Sequence, residues 1–475
     1  MTPRLSQRSA IAALATSAAV LASGCASFSA DGGFTPVAEA ARTHLKQDLR
    51  WPRSEADRAA AGQLVATLLA RPLAMDDAVQ IALLNHRGLQ AAFEELAIGE
   101  AELVQAGRLP NPGFSIARLT RGHEVEIERG LHLGLGRLLA LPLARAAESR
   151  RFAQTQAAAA QRVLQHAADV RQAWVHAVAA EQNVRYAEQV LAASEAGAEL
   201  ARRMAQAGNF NKLQQAREQA FHADAALGLA RAQQARAATR ERLTRLLGLW
   251  GTQTAFNLPE RLPELPASVP DRPDIEREAL AQRLDVQGAK QMVEQTAKQL
   301  GLARTTRFVN LLELGYARNS SNEAPVQRGW EIGIELPIFD WGDARSARAE
   351  AVYRQALHRA AEIAIDARSE VREAYARYRH AHDIARHHRD ELLPLRQRIA
   401  DENLQRYNGM LIGVFELLAD ARAQVAGVNA AIEAERDFWL AEAELQRVLV
   451  GRPGGGALPD TAQPAAAATA DAAGH

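Results

Sequence analysis

The chain is short of cysteine, of aromatic residues and of net charge, and it has no long apolar run. A single cysteine, Cys25, among 475 residues excludes an internal disulfide. Aromatic residues make up 5% of the chain, which suits long helices packed closely through alanine better than a large aromatic core. Lys plus Arg and Asp plus Glu both number 56. A neutral chain without a basic block gives no reason to propose nucleic acid as a partner. No segment beyond the N-terminus is apolar for long enough to form a transmembrane helix. A mature chain that crosses a membrane must therefore do so as a closed β-barrel.

Enzyme motifs are missing too. No Gly-rich loop follows a strand, no zinc-ligand spacing is present, and no cofactor or catalytic residue is expected. The stretch His380-Ala381-His382-Asp383-Ile384-Ala385-Arg386-His387-His388 invites a metal hypothesis. On a helix, however, residues one or two apart point in different directions, and His380 and His387 are about 10 Å apart along the axis. The stretch reads as a solvated helix face, and His166 and His176 as surface or wall residues.

What is present begins with an export signal. Arg4 and Arg8 form a basic start, Ser9 to Ala22 is apolar but too short to span a bilayer, and Ala22-Ser23-Gly24-Cys25 follows. This resembles a bacterial lipoprotein signal, cleaved before Cys25 with the thiol lipidated (palmitate being the usual acyl group). An ordinary secretory signal cleaved nearby is the alternative. Either way the protein leaves the cytoplasm.

The chain then repeats itself. Residues 82–92 lie over residues 279–289 with four identities: Ala82/Ala279, Leu83/Leu280, Gln90/Gln287 and Ala92/Ala289. Each half runs helix, short strand, turn, second strand, very long helix, turn, returning helix. A duplicated unit implies a pseudo-symmetric fold. The expected organisation is a signal peptide over 1–24, a partly helical lead-in over 25–71 and a first repeat over 72–250. A connector over 251–273, a second repeat over 274–450 and a disordered tail over 451–475 complete it.

In the first repeat, Asp76 and Asp77 suit a helix N-terminus, and apolar periodicity runs from Val79 to Leu103. Pro110 and Pro112 end it. Phe114 to Thr120 and Leu131 to Gly136 read as strands, with Arg121 to Arg129 a charged loop between them. Pro142 suits the first position of a helix. With no proline until Pro259, Leu143 to Ala207 predicts one helix of about 65 residues, roughly 98 Å long. Such a length implies a coiled-coil-like assembly. Gly208-Asn209 turns the chain, and a helix returns to Leu249. In the second repeat a helix runs from Asp274 to Arg304. Phe308 to Ala317 and Trp330 to Ile338 then alternate apolar residues with Glu or Gly, the pattern of a strand with lipid on one side and lumen on the other. A soluble antiparallel sheet shows the same alternation. The long helix runs from Asp343 to Tyr407 with Pro394 as a kink point, Asn408-Gly409 turns it, and Leu411 to Val450 returns.

With these residues in order, the chain resembles the outer-membrane efflux channels of the TolC type. The resemblance rests on Asp77-Ala78-Val79-Gln80-Ile81-Ala82-Leu83, Gly107-Arg108-Leu109-Pro110-Asn111-Pro112 and Leu336-Pro337-Ile338-Phe339-Asp340-Trp341-Gly342. Arg406-Tyr407-Asn408-Gly409 and Glu416-Leu417-Leu418 complete it. It covers residues 72–450. It implies a mixed, mainly α fold in which long antiparallel helical hairpins form a periplasmic tube. Four transmembrane strands per protomer would complete a twelve-stranded barrel in a homotrimer. The implied function is a passive duct of a tripartite efflux pump, with a periplasmic adaptor and an inner-membrane transporter as partners and outer-membrane lipid around the barrel. The resemblance places adaptor-contact tips at Gly208, Asn209 and Phe210, and at Gly409, Met410, Leu411, Ile412 and Gly413. An acidic ring at the pore entrance would use Glu416; at the family's second acidic position this chain has Ala419, with Asp420 one residue later. Strand alternation favours the barrel lumen for His132, Glu313, Glu331 and Glu335. The rival reading is a periplasmic structural or adaptor lipoprotein with coiled-coil hairpins and no pore.

Overall fold

The computed structural model describes residues 27–305, 312–334, 339 and 341–452. The signal peptide, Cys25, Phe308, Glu335 to Ile338, Asp340 and all but the first two residues of the tail lie outside the described residues. In chain order the elements are α1 (Thr35–Leu45), α2 (Glu55–Leu69), α3 (Met75–Asn85), α4 (Arg87–Ala106), β1 (Gly113–Arg121), β2 (Glu124–Gly134), α5 (Leu135–Gln206) and α6 (Lys212–Leu247). A short 3-10 turn (Gly251–Thr254) precedes α7 (Ile275–Gln282), α8 (Leu284–Thr305), β3 (Leu312–Ser321), β4 (Gln327–Ile334) and α9 (Asp343–His387). A π-helical turn (His388–Leu392), α10 (Leu393–Asn408) and α11 (Val414–Val450) end the series. The internal duplication is plain in this order: helix pair, strand pair, long helix, returning helix, twice. Among the described residues, no helix is long and apolar enough to cross a membrane.

Several boundaries differ from expectation for physical reasons. The helix expected from Asp76 through Leu103 breaks at His86, and the one from Asp274 to Arg304 breaks at Arg283. Both breaking residues adopt the same extended conformation, with ψ of 115° at His86 and 124° at Arg283. Both N–H groups still close the last helical turn, on Ala82 and Ala279. These are equivalent positions of the repeat. Pro142 does not open α5. The helix starts at Leu135 and carries Pro142 inside it, at the cost of one backbone hydrogen bond. The charged segment 121–129 is not a loop. It is a tight hairpin whose turn is Gly122-His123, with Gly122 at φ 62° and the ladder closing at Arg121↔Glu124. Glycine supplies the positive φ that such two-residue turns need. Before Pro394 the helix widens into the π turn, where the Leu393 N–H reaches back to the His388 carbonyl.

The chain divides into two compact units, Met1–Ala40, Gly88–Ala160 and Val286–Ala364 in one, and Ala41–Arg87, Gln161–Asp285 and Ile365–His475 in the other. The first holds the sheet, in strand order β1-β2-β3-β4, all antiparallel. Its helical part packs Leu89, Phe93, Leu96 and Val104 inward, with the Phe34 and Phe93 rings edge to face at 5.1 Å. Gln154 of α5 donates to Gln295 of α8 at 2.7 Å, and Arg150 pairs with Glu294 at 2.9 Å.

The second unit is helical. Pairs Glu181–Arg236 and Ser194–His222 set α5 and α6 antiparallel. Tyr378 stacked on Phe438 and Gln397 bonded to Gln424 do the same for the α9–α10 line and α11. Buried alanine and valine from Val163 to Val178 line α5, and the Trp174 indole N–H donates to the Leu73 carbonyl at 2.7 Å. The connector is strapped down rather than loose. Trp439 donates to the Pro263 carbonyl, His382 to Pro266 and Tyr375 to Pro270, so a proline-rich segment with few N–H groups is held through its carbonyls.

Candidate functional site: the sheet faces and the hairpin tips

The sheet register sorts every side chain to one of two faces. One face carries Phe114, Leu131, Tyr316 and Trp330 in a single cross-strand row, with Leu133, Leu314 and Ile332 in the next. Phe114, Leu131, Trp330 and Ile332 are exposed, Trp330 by 75%, and the Tyr316 and Trp330 rings meet edge to face at 5.1 Å. The other face carries His132, Gly315 and Glu331 in one row, and Ser115, Gly130, Ala317 and Gly329 in the next. The Ser115 hydroxyl lies 3.1 Å from His132 Nε2. A Cβ placed on Gly130 would stand 2.6 Å from the Ser115 hydroxyl oxygen, and one on Gly315 3.3 Å from both His132 Nδ1 and the Glu331 Cβ. The glycines thus leave the space that the polar side chains fill. In the ladder Glu313 pairs with Gly134 and Gly333. Of the four expected lumen residues, the register puts His132 and Glu331 on one face; the Glu313 side chain and Glu335 lie outside what the structure describes.

Within the helical unit, the two hairpin tips pack together. After α5 the Asn209 N–H bonds the Met204 carbonyl and the Gly208 N–H bonds Ala205, with Gly208 at φ 81°. This is a Schellman closure with glycine in its left-handed position. After α10 the same pair of bonds recurs one residue later than the sequence suggests: Leu411 N–H to Arg406 and Met410 N–H to Tyr407. Met410, not Gly409, occupies the left-handed position, at φ 61°. Gly409 has φ −80° and serves as an ordinary cap. Phe210 and Val414 meet over Ala201, with Met204, Tyr407 and Leu418 around them. Met410 and Leu411 stand out of this cluster, 93% and 78% exposed. Ile412 is half-buried and Gly413 caps α11.

Glu416 sits in the first turn of α11 and is exposed, and Asp420 is half-buried. Four residues apart on an unbroken helix, they are about 40° apart around it and 6 Å along it.

Four polar contacts do not follow from helical periodicity. Glu218 of α6, 1% exposed, pairs with Arg422 of α11 close to the tips, and that guanidinium also lies over the Phe221 ring. Arg283, 1% exposed, holds Asp285 through two bonds of 3.0 and 2.7 Å and Glu370 through a third of 2.7 Å. Burial works against the Arg283 charge, yet the two carboxylates outweigh it and hold its pKa above the usual value. His166 is not a surface residue. It is buried, stacks on His86 at 4.0 Å and donates to the Leu246 carbonyl at 2.9 Å. Burial first, and the neighbouring His86 second, push its pKa down to about 4. His382 likewise leaves the solvated face, 2% exposed, to reach the connector. The signal for the Arg283 and His86–His166 contacts lay in the repeat itself, since His86 and Arg283 are equivalent positions. Among the described residues, no three His, Cys, Asp or Glu side chains converge as metal ligands.

Solved structures share this fold. The outer-membrane channel CmeC of Campylobacter jejuni superposes with a TM-score of 0.67 at 18% identity, over 79% of this chain and 85% of that one. The Neisseria gonorrhoeae outer-membrane channel MtrE, in its open state, gives 0.63 at 20% identity over 79% and 89%. The outer-membrane protein VceC of Vibrio cholerae gives 0.65 at 15% identity over 79% and 95%. The chain has the TolC-type channel fold. No family model matches the sequence, and no curated protein does either. At these identities the TolC-type likeness is one of architecture: mainly helical, with long hairpins and four antiparallel strands.

Proposed function

We propose that the protein is a non-enzymatic outer-membrane channel, the passive exit duct of a tripartite efflux pump. Three protomers would join their four-stranded sheets into one twelve-stranded barrel, with the helical hairpins below it in the periplasm. The observation that carries this reading is the two-faced sheet. An exposed apolar face with an aromatic row, backed by a Gly, Ser, His and Glu face, is the division a transmembrane barrel needs. The likeness to CmeC and MtrE, both outer-membrane channels, supports it. An adaptor would meet the tips at residues 208–210 and 409–413, and energy would come from an inner-membrane transporter. Cys25 would carry the lipid anchor. Substrate class stays broad, small molecules or metal ions.

The test is incorporation of the purified full chain into planar bilayers, with heat-modifiable trimers on gels. Discrete conductance steps and a trimer band are expected. A chain that gives neither is the poreless periplasmic lipoprotein instead. In the same recordings, Glu416→Gln should lower cation over anion preference, because an acidic ring at a constriction favours cations. Unchanged selectivity removes Glu416 from the pore entrance.

A further inference from the structure

One row of the apolar sheet face is not apolar. Two residues beyond the aromatic row, towards the hairpin turns, the register aligns Ile116, Arg129, Arg318 and Arg328 side by side. Three arginines therefore occupy adjacent positions on three consecutive strands. Neighbouring strands are about 4.8 Å apart, so all three backbones fall within about 10 Å. Arg118 stands one row further out, level with Ile127 and Ser320. Arg318 and Arg328 are exposed and Arg129 is half-buried, with one bond of 3.2 Å to the Ser320 hydroxyl.

Like charges directly opposite one another destabilise a sheet. Carboxylates are available nearby, since β2 carries Glu124, Glu126 and Glu128 and β4 carries Glu331. The pleat sends all four to the other face, in rows with Arg121, Leu119, Ala117 and Gly315. No ion pair joins any of the three arginines to a carboxylate among the described residues. The row is thus a concentrated cationic surface with no carboxylate paired to it among the described residues. Its place is equally specific. It borders the aromatic row of Phe114, Tyr316 and Trp330 on the side of the turns at Gly122-His123 and 322–326, while α5 leaves from the opposite end directly after Gly134. Aromatic girdles mark the membrane–water boundary, so the arginines stand where lipid head groups would be.

We propose that Arg129, Arg318 and Arg328 bind an anionic, phosphate-bearing membrane lipid at the rim of the sheet nearer the hairpin turns. The proposal rests on the membrane-channel reading above. Guanidinium groups bind phosphate oxygens in a bidentate fork, and a head group lying across the row replaces mutual repulsion with three attractions. The apolar rows beneath would receive its acyl chains.

The experiment delipidates the full chain in neutral detergent and adds back diphosphorylated lipid A or its dephosphorylated form, counting bound lipid by native mass spectrometry. Insertion into zwitterionic vesicles is scored in parallel. The wild-type protein should retain the phosphorylated lipid at least about tenfold better than the dephosphorylated one. The R129Q/R318Q/R328Q variant should bring that preference to near unity while still inserting. The corresponding triple lysine variant should keep part of it, since lysine retains charge but loses the fork. Equal preference in the wild-type and glutamine proteins overturns the proposal, as does displacement of the lipid by millimolar inorganic phosphate. A wild-type chain that inserts but shows no phosphate preference sinks only this inference; one that inserts into no vesicle sinks the channel reading and this inference together.

Discussion

Among single residues, the buried polar groups at the two equivalent helix breaks are the least replaceable. Each break turns one side chain inward, and each is met by a group from a following long helix: His166 of α5 stacks on His86, and Glu370 of α9 receives Arg283. The first pair makes stability depend on pH. In the unfolded chain His166 would titrate near 6.5, and in the fold near 4. Above about pH 6.5 both states are neutral at this site. Between there and about pH 4 only the unfolded chain takes up the proton, so stability falls with pH across that window, by up to about 3 kcal/mol, and levels off below it. His86, also lowered by burial, acts in the same direction. His166→Gln keeps a donor for the Leu246 carbonyl without the titration. Melting temperatures measured from pH 7 to 4 should therefore fall less steeply in this variant; parallel curves would show that another group sets the acid sensitivity.

For the elements, the hairpin closures show what could be read from sequence and what could not. Gly208-Asn209 and Asn408-Gly409 both marked turns, and both turns are there, because glycine at the end of a long helical pattern is a strong stop signal. The register of the second closure was not legible. Backbone hydrogen bonds fixed by the length of the turn put Met410, rather than its glycine neighbour, at positive φ. Strand alternation likewise revealed both faces of the sheet, but charge in 121–129 concealed a hairpin, since a half-exposed strand tolerates Glu and Arg that a buried one does not. Periodicity alone carried the helices through His86 and Arg283, where inward polar contacts break them. A left-handed L-residue costs about 1–2 kcal/mol. Met410→Gly should thus stabilise the tip by about 1 kcal/mol and raise the melting temperature slightly, while Met410→Val, β-branched at positive φ, should lower it. Calorimetry of the two variants against wild type checks the order; a Gly variant less stable than wild type would place the exposed methionine in a contact that offsets its strain.

At the level of the whole molecule, the decisive question is whether the apolar face of the sheet meets lipid. Ile332 lies in the row inboard of Tyr316 and Trp330, 65% exposed, and Glu331 beside it points to the opposite face. These neighbours give a matched pair of substitutions. Ile332→Lys would put a charge into the apolar band at about 2–4 kcal/mol near the midplane, less towards the rim, and three protomers would each bear that cost. Glu331→Gln changes charge only on the His132 side. If the apolar face is the lipid face, Ile332→Lys should cut insertion events in planar bilayers by about tenfold or more, and Glu331→Gln should insert normally with a shifted ion preference. Circular dichroism keeps the comparison fair, because helices supply most of the signal and neither substitution touches one. A lysine variant that inserts as readily as wild type, with an unaltered helical spectrum, would mean that this face packs against protein or water. The barrel would then have to be abandoned even though the long helical hairpins remain.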